Sequence, residues 1–140
     1  MTILYFMLTT LVAQQSDTVA KPSLDYAFFK QRVQPIFLKK REGRARCVTC
    51  HEHGSPPLEP LAPGTTTWTD DQSRKNFAMW KLFVVPGNPM KSVLLLHPLA
   101  TKAGGDKFHG GGKHFQSQND PEWQTLAAWV RGEKLQGGSQ

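Results

Sequence analysis

Cys47-Val48-Thr49-Cys50-His51 contains both cysteines of this 140-residue chain. Cysteines three positions apart lie on one turn of chain, so their two sulfurs can reach groups along a single edge of a bound molecule. A histidine directly after the second cysteine places an imidazole nitrogen beneath the same molecule. This is the attachment pattern of c-type heme, in which two thioether bonds hold the porphyrin and the histidine binds the iron.

The same motif is also compatible with a zinc site, a redox disulfide or a chance arrangement. A zinc site would need Cys47 and Cys50 together with two distant histidines. A redox disulfide between the same cysteines would require a βαβ context, which the pattern of this chain does not show. We expect one covalent heme c, with Cys47 and Cys50 as the attachment residues and His51 as the proximal iron ligand.

The composition predicts one domain with a small core. Apolar residues make up 39% of the chain, below the usual globular share of about 45–50%. Twelve glycines and ten prolines indicate long loops. A porphyrin would complete such a core. Seventeen Lys and Arg against eleven Asp and Glu leave a formal charge of +6, which favours acidic partners.

Residues 1–13 carry no charged side chain. As a helix they would reach about 20 Å, too short for a hydrocarbon core of about 30 Å. We therefore predict a signal peptide at 1–13, with a buried strand or helix as the alternative. A linker at 14–22, a domain at 23–133 and a disordered tail at 134–140 complete the predicted organisation. Export agrees with covalent heme, which is attached after export, so we expect a periplasmic protein.

Apolar spacing and capping residues predict a mainly α fold with long Pro/Gly-rich loops. The proline-rich loop covers residues 54–69, and a glycine-rich loop covers residues 103–114. No convincing alternating strand pattern appears. The predicted helices run from Ser23 to about Lys40 with a kink or a stop and restart at Pro35, over residues 70–84, after an Asn88 cap, and from an Asp120 cap to Gly132.

Three further segments accompany the motif: Val-Gln-Pro-Ile-Phe at 33–37, Val-Pro-Gly-Asn-Pro-Met-Lys-Ser at 85–92 and Trp-Val-Arg-Gly at 129–132. Together with the cysteine motif, they resemble a monoheme c-type cytochrome domain of the planctomycete and acidobacterial periplasmic type. The resemblance extends from about Phe28 to Gly132. It implies a cytochrome c-like fold, in which the N- and C-terminal helices pack beside the covalently bound heme, and it implies electron transfer.

The chain departs from that family at the distal iron ligand. Members usually carry Met-Pro-Pro before the last helix, and that methionine binds the iron. The corresponding segment here is glycine-rich and contains His109. We therefore expect His109 as the sixth ligand, and a lower potential than in relatives with methionine. The alternatives are His97, Met90, His114 and an open sixth position.

The expected function is electron transfer between redox protein partners rather than catalysis. The basic run at residues 39–46 either attracts an acidic partner or is an ordinary solvated helix end. It lacks interleaved aromatic residues and any reader motif, so we expect no nucleic-acid binding. Two further functions remain open. One is a heme enzyme or sensor whose open or labile sixth position binds peroxide, oxygen or a small gas. The second is a cytochrome subunit bound in a membrane electron-transfer complex.

Overall fold

The computed structural model describes residues 22–136, and helices dominate this part of the chain. Within it there is no β-strand, only two isolated bridges. The predicted mainly α class is therefore confirmed. The α-helices are α1 (Tyr26–Phe28), α2 (Gln34–Leu38), α3 (Cys47–His51), α4 (Asp70–Trp80), α5 (Val93–Leu96) and α6 (Pro121–Arg131), with a π-helical turn at Phe29–Val33 and 3-10 turns at Lys81–Phe83, Pro89–Lys91 and Thr101–Ala103.

Several predicted segments fall outside the described residues. These are the signal peptide at 1–13, the linker up to residue 21, and residues 137–140 of the tail.

The first helix begins at Asp25 rather than at Ser23. The Asp25 carboxylate accepts a hydrogen bond from the N–H of Phe28 at 2.6 Å and so caps α1. The π-helical turn then joins α1 to α2, with Pro35 in the first turn of α2. Since proline has no N–H to donate, it interrupts the α-helical hydrogen-bond ladder here. The irregularity expected around Pro35 is this π-helical turn.

The last helix begins and ends where the sequence predicts. The Asp120 carboxylate accepts hydrogen bonds from the N–H groups of Glu122 and Trp123 at 2.9 and 3.3 Å. At the C-terminal end, Gly132 adopts a left-handed conformation with φ of 89°. Glycine carries no Cβ, so this conformation costs it little, and the chain can turn away from the helix. Both ends of α6 therefore follow from local capping chemistry.

An aromatic cluster joins the first helix, α4 and α6. The rings of Phe29 and Trp129 lie 5.1 Å apart between centres, and the ring of Phe77 lies 5.5 Å from that of Phe29. The indole N–H of Trp129 donates to the backbone carbonyl of Asp25 at 3.0 Å. Phe29 and Trp129 are fully buried. The first and last helices therefore pack directly against each other, and this contact forms one wall of the core.

The proline-rich loop after α3 is anchored to the core. The indole of Trp80 donates to the carbonyl of Pro57 at 3.0 Å, and the indole of Trp68 donates to the carbonyl of Glu59 at 2.6 Å. Leu58, between these two carbonyls, is buried. These contacts hold the loop against α4, so the chain directly after the cysteine motif has a defined position.

Asp70, the first residue of α4, has three side-chain hydrogen-bond partners. Its carboxylate accepts hydrogen bonds from Lys30 Nζ at 2.6 Å, from the Tyr26 hydroxyl at 2.8 Å and from Arg74 Nε at 2.9 Å. The hydrogen bond from Lys30, followed by that from Tyr26, lowers the pKa of Asp70 from 3.8 to about 2. At pH values above the ordinary pKa of 3.8, the lowered pKa of Asp70 stabilises the folded state. This stabilisation is lost as the pH falls from 3.8 to about 2.

Replacing Asp70 by Asn removes the charge but keeps the shape of the side chain. We expect Asp70→Asn to lower the midpoint temperature of unfolding by a few degrees at pH 7. The difference from the unsubstituted protein should shrink as the pH falls from 3.8 to about 2. Asp71→Asn is the matched control, because Asp71 is 76% exposed and its one ion pair among residues 22–136 is with Lys75. Equal melting temperatures for Asp70→Asn and the original protein at pH 7 would contradict this assignment.

Candidate cofactor site

Helix α3 brings both cysteines and His51 to one side of a cleft. It is a single helical turn, so Cys47, Cys50 and His51 all line the same cleft. The side chain of Val48 is buried and fixes this turn to the core. Cys47 is half-buried, Cys50 is exposed, and the two sulfurs are not bonded to each other. Both free thiols therefore line the cleft.

His51 is held by the anchored loop that follows it. Its Nδ1 lies 2.7 Å from the backbone carbonyl of Pro56. A carbonyl oxygen can only accept, so Nδ1 carries the proton and Nε2 is left with a lone pair. The edge of the ring packs against Trp80, with 5.1 Å between ring centres. Burial lowers the pKa of His51 below its ordinary value, which keeps the imidazole neutral.

His109 has the same arrangement in the glycine-rich loop. Its Nδ1 lies 2.6 Å from the carbonyl of Gly112, and the N–H of Gly112 donates back to the carbonyl of His109 at 2.9 Å. Gly112 has a φ of 75°, a left-handed conformation that closes this turn. A Cβ at Gly112 would lie 2.8 Å from the guanidinium of Arg44. Because the Gly112 carbonyl can only accept a hydrogen bond, Nδ1 of His109 carries the proton, and its Nε2 is also left with a lone pair.

The two imidazoles face one another across the cleft. The ring centres of His51 and His109 lie 6.4 Å apart, and the ring planes differ by 23°. In the described part of the chain, neither Nε2 forms a hydrogen bond. The two rings are therefore near enough for one bound group to contact both histidines.

The walls of the cleft are apolar. The side chains that form these walls belong to several helical segments around α3. A flat apolar molecule attached to the cysteines would therefore contact the core on several sides. Only Trp80 of the four tryptophans lines the cleft, while Trp68, Trp123 and Trp129 belong to the core. The main apolar side chains of the walls are Ile36, Phe37, Trp80, Phe83, Leu94 and Phe115. The residues present therefore fit a porphyrin held between His51 and His109.

The two histidines predicted as alternative ligands lie at the same end of the cleft as His109. His97 also lines the cleft, its Nδ1 pairs with the carboxylate of Asp106, and its ring centre lies 6.3 Å from that of His109. His114 lies 5.9 Å from His109 between ring centres. Burial, followed by the charge of Arg41, lowers the pKa of His114 to about 4. Both rings are neighbours of His109 rather than partners of His51.

Met90 does not take part in the cleft. It lies in the 3-10 turn before α5, is exposed, and does not line the cleft walls. Its methyl group lies against the backbone at Gly104. Of the four side chains predicted for the distal side, His109 alone has its ring stacked across the cleft from that of His51.

The basic run at 39–46 is partly neutralised. Lys39 and Arg41 both form ion pairs with Glu122 in the first turn of α6. The amino group of Lys40 donates to the carbonyl of Arg44 at 2.7 Å. The sequence pattern does not indicate the partnership with Glu122, because the two segments are far apart along the chain. Two of the five cations in this run are therefore paired within the protein, with a single carboxylate.

The chain matches no protein-family model, and neither the curated proteins nor the solved structures contain a significant match to it.

Among residues 22–136, no group of three or more His, Cys, Asp or Glu side chains is placed to hold a metal ion. A zinc site built on Cys47 and Cys50 would need such a group. An iron porphyrin needs only two protein ligands to its iron.

No helix in the described part is long and apolar enough to cross a membrane.

Proposed function

We propose that this protein is an electron-transfer protein with one covalent heme c. The observation that carries the proposal is the pair of imidazoles at His51 and His109, with ring centres 6.4 Å apart and both Nδ1 atoms bound to carbonyls. Cys47 and Cys50 line the same cleft. In this proposal they hold the porphyrin by thioether bonds, while His51 and His109 are the axial ligands.

The heme supplies a redox centre that accepts or releases one electron. The chain's own residues determine the properties of that centre. The carbonyls of Pro56 and Gly112 keep each Nδ1 protonated, which orients each ring and strengthens Nε2 as a ligand. The apolar side chains of the walls keep water away from the cleft, which disfavours excess charge there. No group in this arrangement is needed for bond-breaking chemistry, so we propose a carrier rather than an enzyme.

The finer parts of the proposal rest on the sequence motif and its resemblance to monoheme cytochromes. We propose a cytochrome c-like fold, because the first and last helices pack together at Phe29 and Trp129. We also propose an exported, periplasmic protein, since heme c is attached after export. Redox proteins are its proposed partners.

The first test is the spectrum of protein produced with heme-attachment machinery. We expect a six-coordinate low-spin heme, and very slow binding of carbon monoxide to the reduced protein. His109→Ala should open the sixth position, so that carbon monoxide binds at least about 100-fold faster. His97→Ala and His114→Ala are the matched controls and should keep the six-coordinate spectrum. Loss of that spectrum in either control, with no change in His109→Ala, would assign the ligand to that histidine instead.

The second test is the midpoint potential. Methionine as an axial ligand raises the potential of a heme above that with two histidines. We therefore expect His109→Met to raise the midpoint potential by on the order of 100 mV in a spectroelectrochemical titration. The same titration of His114→Met should leave the potential almost unchanged. A potential of the original protein already in the range of methionine-ligated cytochromes would count against His109.

The third test concerns the turn that orients His109. Gly112→Ala places a Cβ at a positive φ and against Arg44, so the Gly112 carbonyl moves away from His109. Loss of a residue hydrogen-bonded to a metal ligand lowers metal affinity by about 10–100-fold. We therefore expect carbon monoxide to bind the reduced variant about tenfold faster or more. Gly64→Ala is the matched control, because Gly64 has a similar φ of 77° but nothing within 4 Å of its Cβ position. Equal rates in the two variants would show that the Gly112 turn does not hold His109.

A further inference from the structure

One lysine closes the base of the glycine-rich loop that carries His109. The amino group of Lys113 donates a hydrogen bond to the backbone carbonyl of His97 at 2.8 Å and a second one to the backbone carbonyl of Asp106. Lys113 is half-buried. A lysine side chain at a protein surface usually stays in water, because ordering its long chain costs conformational entropy. These two contacts therefore set Lys113 apart from an ordinary surface lysine.

Lys107 belongs to the same loop and has no such contacts. It is exposed, and no hydrogen bond joins its amino group to another residue in the range 22–136. Lys113 itself forms no ion pair with a carboxylate in that range. Its positive charge therefore strengthens two hydrogen bonds to neutral backbone carbonyls.

Asp106 joins the loop to the end of α5. Its N–H donates to the carbonyl of Leu96 at 3.0 Å, and its own carbonyl also accepts a hydrogen bond from the Thr101 hydroxyl at 3.1 Å. The Asp106 carboxylate pairs with Nδ1 of His97. Asp106 is thus fixed by both its backbone and its side chain. A hydrogen bond from Lys113 to its carbonyl therefore ties the far end of the loop to the same place.

The turn that orients His109 lies between these two tied points. His109 Nδ1 donates to the Gly112 carbonyl, and the Gly112 N–H donates back to the carbonyl of His109. Residues 110–112 are all glycine, so they have no side chains with which to anchor the turn. Lys113 is the first residue after His109 whose side chain can do so, and it reaches the carbonyls of His97 and Asp106.

We propose that Lys113 is a positioning residue for the distal ligand His109. This inference rests on the proposed function. By holding the loop closed, Lys113 keeps the ring of His109 opposite that of His51. A small gas can occupy the sixth position only while His109 is displaced, and a segment held by more hydrogen bonds opens less often. Lys113 therefore determines how rarely the sixth position becomes free.

The test compares Lys113→Met, Lys113→Arg and Lys107→Met, each produced with heme-attachment machinery. Methionine has no N–H to donate, so carbon monoxide should bind reduced Lys113→Met about tenfold faster than it binds the original protein. Arginine keeps donors for both carbonyls, so Lys113→Arg should stay within about threefold of the original rate. Lys107→Met removes the same charge from the same loop and should stay within about twofold.

Hydrogen exchange gives a second readout that needs no added ligand. The N–H of Gly112 is bound to the carbonyl of His109, so its exchange with solvent reports opening of the turn. In Lys113→Met this exchange should be about tenfold faster, while the amides of α6 keep their original rates. Faster exchange throughout the chain, α6 included, would show a general loss of stability and contradict a positioning role.

A double variant separates positioning from other effects on carbon monoxide binding. If Lys113 acts through His109, Lys113→Met combined with His109→Ala should bind carbon monoxide at the rate of His109→Ala alone. A further increase in the double variant would contradict that route.

The remaining outcomes show which proposal fails. Unchanged carbon monoxide binding and unchanged Gly112 exchange in Lys113→Met would overturn the role of Lys113 and leave the proposed function intact. Absence of a covalent heme spectrum in the original protein, or no effect of His109→Ala on carbon monoxide binding, would overturn the proposed ligand set and the role of Lys113 with it.

Discussion

The hydrogen bond between the Nδ1 of His51 and the carbonyl of Pro56 is the contact on which the rest of the site depends. A neutral imidazole has one N–H and one lone pair, so a carbonyl at Nδ1 leaves Nε2 as the only position that can bind a metal. That carbonyl is in place because the proline-rich loop is anchored through Trp80 and Trp68. The ring of Trp80 also packs against His51. One tryptophan therefore positions both the histidine and the loop that orients it.

The two sides of the cleft are built in different ways. His51 follows two cysteines on a helical turn, and a loop fixed to α4 holds its ring. His109 lies in a glycine-rich loop, and its ring is held by a local turn through Gly112. A local turn has few contacts to distant elements, so the distal side depends on backbone conformation more than on packing.

Local chemistry explains what could be predicted. The ends of α6 follow from the carboxylate of Asp120 and the left-handed Gly132, and the turn of Cys47–His51 follows from spacing. The first helix is predicted to start at Ser23 but is capped by Asp25, because which side chain reaches the free N–H groups depends on the local backbone conformation. The π-helical turn before Pro35 has the same origin: the sequence shows the missing N–H, but not how the backbone accommodates it.

Residue types and spacing alone indicate a mainly α chain, a turn able to attach heme, and a histidine in the glycine-rich loop. These properties depend on neighbours within a few residues. The tertiary structure alone places the ring centre of His109 6.4 Å from that of His51 and leaves Met90 outside the cleft. It also brings Glu122 into ion pairs with Lys39 and Arg41. Each of these depends on how distant segments pack, and packing is set by the shape and burial of the whole core.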